Sequence, residues 1–152
     1  HRLHPYFRDA ASIEDAIMLS ITGLDPPVPG ISYPHIGARF ARYQGWLSCN
    51  DCLPIRFEDL VSERQAEVIR QAAEFYAARS SSPVDVDACV QSMSAHIAPH
   101  KPHTFRSGKK AGWQREFTPV HRQRFAEVAG QLLIELGYEP NFDWVEAPVA
   151  CH

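Results

Sequence analysis

Leu53-Pro54-Ile55-Arg56-Phe57 is the only run in this 152-residue chain that reads convincingly as a β-strand. A strand cannot stand alone, because the backbone donors and acceptors along its edges need neighbours. Glu58-Asp59-Leu60 follows it, at the end where ligands gather in a parallel sheet. The pattern predicts a mostly helical chain with one clear strand, and that strand needs partners.

The rest of the chain reads as helices and the loops between them. Ser12 is a good N-cap with Asp15 three residues on, and Ile13, Ala16, Ile17 and Ile21 share one face before Gly23 ends the helix. Prolines crowd Asp25 to Pro34, which marks a loop. His35 to Leu47 reads as a second helix with Ile36, Phe40, Tyr43 and Leu47 on one stripe. A long helix is expected from Ser62 to about Arg79, with Val68, Ala72, Phe75 and Tyr76 toward its core. A short one follows from about Val86 to Ile97. The last, Pro119 to Leu136, places Phe125, Val128, Leu132 and Leu136 together and stops at Gly137. The aromatic tail Tyr138 to Trp144 is expected to pack back, with Trp113 and Trp144 as core anchors.

Between the last two helices lies a basic stretch, His103 to Phe117, carrying Arg106, Lys109, Lys110 and Arg115. Gly108 and Gly112 let the backbone bend tightly and approach a ligand closely. Ser107 adds a hydroxyl, and Gly108 an amide with no side chain in the way. Thr118 then reads as an N-cap and Pro119 as the first helical residue. A cationic, glycine-bearing loop that runs into a helix start suits a phosphate or sulfate. A solvated basic turn is the plain alternative.

Thr104-Phe105-Arg106-Ser107-Gly108-Lys109-Lys110-Ala111-Gly112-Trp113, then Phe117-Thr118, resembles the C-terminal signature of sulfotransferases that use 3'-phosphoadenosine 5'-phosphosulfate (PAPS). Ile55 to Leu60 is similar to that family's strand ending in Tyr-Glu-Asp-Leu, and Leu136-Gly137-Tyr138-Glu139 resembles the soluble bacterial-type members. The resemblance covers most of residues 46 to 144. Ala111 stands where the pattern has its second glycine and Gly112 where it has an aspartate. Phe57 replaces a tyrosine, which removes a hydroxyl.

The resemblance implies an α/β fold, part of the P-loop-like sulfotransferase fold with a parallel sheet, to which this mostly helical chain adds one clear strand, with residues 1–152 as the C-terminal portion of a single domain. It implies transfer of a sulfuryl group from PAPS, as co-substrate, to a hydroxyl or amine of a small-molecule or glycan acceptor. Arg106 would form a forked pair with the 3'-phosphate, Ser107 and Gly108 would add donors, and Phe57 would lie near the adenine. The lysine-bearing loop that grips the 5'-phosphosulfate, and the catalytic base, are not read in residues 1 to 45. No catalytic residue is therefore assigned. The chain alone is expected to bind rather than catalyse, and its expected partner is the N-terminal half or another copy. A non-catalytic nucleotide-binding remnant and a helical interaction module remain open.

The formal net charge of -3 implies no general affinity for nucleic acid. No stretch is apolar for long enough to span a membrane. Cys49-Asn50-Asp51-Cys52 reads as half a zinc site or a redox pair, but no second C-x-x-C exists. Incidental reduced thiols are the default, and a cytoplasmic setting fits them. His96, His100 and His103 have a ligand-like spacing that Pro99 and Pro102 interrupt, so no metal site is expected.

Overall fold

The computed structural model describes residues 2–25, 28–97 and 112–147. Two compact units make up the chain: His1–Gly45 with Ala111–His152, and Trp46–Lys110.

The first unit packs α2 (Ile13–Thr22) against α3 (Ile36–Ala41) and α8 (Pro119–Phe125), with α1 (His4–Arg8) ahead of them. Ser12 caps α2 as expected, its Oγ accepting the Asp15 N–H at 3.0 Å. Gly23 ends it at φ 78, where a Cβ would stand 2.2 Å from the Tyr33 carbonyl oxygen. Only glycine combines that left-handed turn with so close a backbone approach. Arg39 of α3 lies over the Tyr33 ring at 4.0 Å and donates to the Ser20 carbonyl, tying α3 to α2. After α7 (Trp113–Glu116) and α8, the backbone widens into a π-helical turn over Ala126–Gly130 and tightens again into α9 (Gln131–Glu135). Ile21, His121, Arg122, Ala129 and Trp144 are buried here.

The second unit is built on α5 (Gln65–Ala77), which packs on α4 (Phe57–Leu60) and α6 (Val86–His96). Its buried stripe is Val68, Ile69 and Ala73. That stripe is rotated from the expected one: Tyr76 is exposed, and the Phe75 ring is covered by the Arg79 guanidinium at 3.6 Å. Asp85 caps α6 through the Ala88 N–H at 3.0 Å.

The expected parallel sheet is absent from the described residues, and so is the strand over Leu53–Phe57. Their one β-type pairing is an isolated bridge between Val28 and Ile31. With no neighbouring ladder, an extended segment has nowhere to place its backbone groups, and Pro54 has no N–H to offer. The chain instead closes helical turns: the Asp59, Leu60 and Val61 N–H groups donate to the Arg56, Arg56 and Phe57 carbonyls at 3.1, 3.3 and 3.2 Å. The expected helix over 35–47 also breaks. The Tyr43 N–H turns to the Phe40 carbonyl at 2.8 Å, ending α3, and a separate 3-10 turn covers Gln44–Ser48. No helix among the described residues is long and apolar enough to cross a membrane.

Candidate phosphate-binding segment and its anchor

Arg106, Ser107 and Gly108 lie outside the described residues. Phe57, the fourth expected contact, is the first residue of α4 in the Trp46–Lys110 unit and is exposed over 55% of its surface. Asp59, two residues on, is held by Arg64 at 3.2 Å. Arg64 also binds Glu67, which holds that carboxyl below its usual range.

What the structure describes is the frame into which the basic stretch runs. Gly112 opens α7 at an ordinary right-handed φ of -56, with open space where a Cβ would stand. The conformational freedom expected of this glycine goes unused. Trp113 meets Trp144 edge to face at 5.7 Å and Phe117 at 5.8 Å. Phe125 closes the cluster at 6.1 Å from both Phe117 and Trp144. Edge-to-face pairs of this kind contribute about 0.5–1.5 kcal/mol each beyond burial. The two tryptophans are core anchors, as the sequence suggests, and an apolar cavity of about 160 Å³ lies between them and Leu133.

The helix start at Thr118 is capped from within the chain. The Thr118 hydroxyl accepts the His121 N–H at 3.3 Å, and His121 Nδ1 accepts the Thr118 N–H at 3.1 Å. Pro119 has no N–H, and the Arg122 N–H donates to the Thr118 carbonyl. This reciprocal capping box occupies the Thr118 and His121 N–H groups.

Sequence reasoning missed Arg122. It is buried with 2% of its surface exposed, yet its hydrogen-bond acceptors among the described residues are neutral carbonyls. These are Gln114 at 3.2 Å, Trp144 at 3.4 Å and Ala147. Its guanidinium also lies 5.6 Å from the Trp113 ring centre. The side chain therefore fastens α7 and the C-terminal tail to α8. A cleft of about 400 Å³ beside it carries Glu139 and Asp143, whose negative charge opposes a polyanionic ligand. No cluster of three metal-ligating side chains occurs among the described residues. His100 and His103 lie outside them.

No family model, no curated protein and no solved structure matches the chain.

Proposed function

We propose that this chain holds the 3'-phosphate of a PAPS-type nucleotide through Arg106, Ser107 and Gly108, as the C-terminal part of a sulfotransferase. The observation that supports this most is the run Arg106-Ser107-Gly108-Lys109-Lys110, which in sequence precedes the packed aromatic cluster at Trp113. Just downstream of the run, Trp113 packs against Phe117 and Trp144, and Arg122 holds the Gln114 carbonyl. A positioned fork of guanidinium nitrogens is what bidentate phosphate recognition needs. Phe57 offers an exposed ring for the adenine.

In the reaction this serves, an acceptor hydroxyl or amine attacks the sulfur of PAPS. The bond from sulfur to the bridging oxygen breaks, and adenosine 3',5'-bisphosphate leaves. Such transfer depends on positioning and on neutralising charge. Residues 1–152 supply the nucleotide grip in this reading, and a small-molecule or glycan acceptor meets the donor in the assembled enzyme, in the cytoplasm. The purified chain should bind the bisphosphate and give no sulfated product from PAPS with phenols, alcohols or amines.

The absence of β-pairing around residues 53–57 favours a second reading, a helical interaction module. It predicts no nucleotide binding at all, so one titration with adenosine 3',5'-bisphosphate separates the two.

A further inference from the structure

Cys49-Asn50-Asp51-Cys52 is a closed turn. The Cys52 N–H donates to the Cys49 carbonyl at 3.1 Å. The first and fourth Cα atoms of a β-turn lie within about 7 Å, and disulfides span Cα atoms about 4.4–6.8 Å apart. The backbone therefore already holds the two cysteines at bridging range. Both are free thiols, Cys49 exposed and Cys52 half-buried.

The turn is held from outside. Arg79, stacked on Phe75, donates to the Asn50 carbonyl at 2.5 Å, and its Nε lies 4.0 Å from the Asp51 carboxylate. Both middle residues are thus tied to the C-terminal end of α5, the helix that carries the buried Val68, Ile69 and Ala73. A metal would need further ligands, and no three-ligand group occurs among the described residues.

We propose that Cys49 and Cys52 form a thiol–disulfide exchange site that closes to an intrachain disulfide, with a low-molecular-weight disulfide such as oxidised glutathione as the oxidant. This is independent of the nucleotide reading. In the first step the exposed Cys49 thiolate attacks one sulfur of the oxidant. That S–S bond breaks, a mixed disulfide forms and one glutathione thiolate leaves. In the second step the Cys52 thiolate attacks the Cys49 sulfur and displaces the second glutathione. Two protein thiols lose two electrons, the oxidant is reduced to two thiols, and the two protons pass to the leaving groups.

The order of steps suits the pair. Cys49, by hydrogen bonding, pushes the Cys52 thiol up, and burial and nearby charge add to this. Capping Cys49 removes that hydrogen bond, so the Cys52 thiolate forms more readily once it is needed.

The test equilibrates the full chain in glutathione buffers of increasing oxidised fraction, quenches by alkylation and maps the peptides by mass. The expected product is a Cys49–Cys52 bridge with the loss of two hydrogens and no retained glutathione. Cys52→Ser should stall with a glutathione adduct on Cys49, and Cys49→Ser should form its adduct on Cys52 more slowly. A persistent adduct on the wild type, a bridge to Cys89 or Cys151, or both thiols still alkylated in the most oxidising buffer would each overturn the proposal.

Discussion

His121 and Glu14, 107 residues apart, are joined by a 2.9 Å hydrogen bond between the imidazole Nε2 and the Glu14 carbonyl oxygen. Because Nδ1 accepts the Thr118 N–H, Nε2 carries the proton and donates. One buried side chain thus caps α8 and fastens it to the first turn of α2. His121→Ala removes the cap partner and leaves a carbonyl without its donor. The expected cost is about 1–3.5 kcal/mol of unfolding free energy, from a cap of about 0.5–2 and a lost hydrogen bond of about 0.5–1.5. Urea denaturation followed by far-UV circular dichroism measures it, and a loss under 0.5 kcal/mol would contradict this role.

Gly37 and Gly112 should respond oppositely to alanine. A Cβ at Gly37 would stand 2.2 Å from the Val128 carbonyl oxygen, so α3 must move off the π-helical turn. Overpacking of this kind costs about 1–3 kcal/mol. At Gly112, in right-handed conformation with open space, alanine should stabilise by about 0.4–1 kcal/mol. Thermal melts of both variants check the pair of signs.

Arg122→Lys keeps the charge but loses the fork that spans Gln114 and Trp144. A loss of about 1.5–3 kcal/mol is expected, the range for a hydrogen bond to a charged group. Near-UV circular dichroism should weaken as Trp113 and Trp144 lose their fixed edge-to-face contact. Unchanged tryptophan signals would mean that the aromatic cluster holds the tail by itself.

Helix starts were the most legible part of the sequence. Ser12 and Thr118 act as N-caps because their short hydroxyl side chains reach the third helical N–H, which is a local effect. The burial of Trp144 was legible too, since a large aromatic near a helix end has few other places to go. Residues 53–60 were misread because a short alternation of Leu53, Ile55 and Phe57 fits a strand only where a neighbour pairs with it, and pairing is not local. The π-helical turn was hidden because the spacing of Phe125, Val128 and Leu132 tolerates one added residue. Arg122 was overlooked because a charged residue is rarely fully buried, and its acceptors are backbone carbonyls that carry no sequence signal. His121 escaped notice as a cap partner because Glu or Gln is the usual residue at that position. Of the candidate site, Phe57 was placed on a strand and stands instead at a helix start, while Arg106, Ser107 and Gly108 lie outside the described residues.

The central claim is that Arg106 grips a nucleotide 3'-phosphate. Calorimetric titration of adenosine 3',5'-bisphosphate and adenosine 5'-phosphate against the wild-type chain and Arg106→Lys tests it most directly. Lysine keeps the charge and loses the fork, so bisphosphate binding should weaken by roughly 1.5–3 kcal/mol. That corresponds to about ten- to a hundredfold in affinity. Adenosine 5'-phosphate has no 3'-phosphate, and its affinity should change far less. Equal weakening of both nucleotides, no effect on either, or no binding of the bisphosphate to the wild type would contradict the claim.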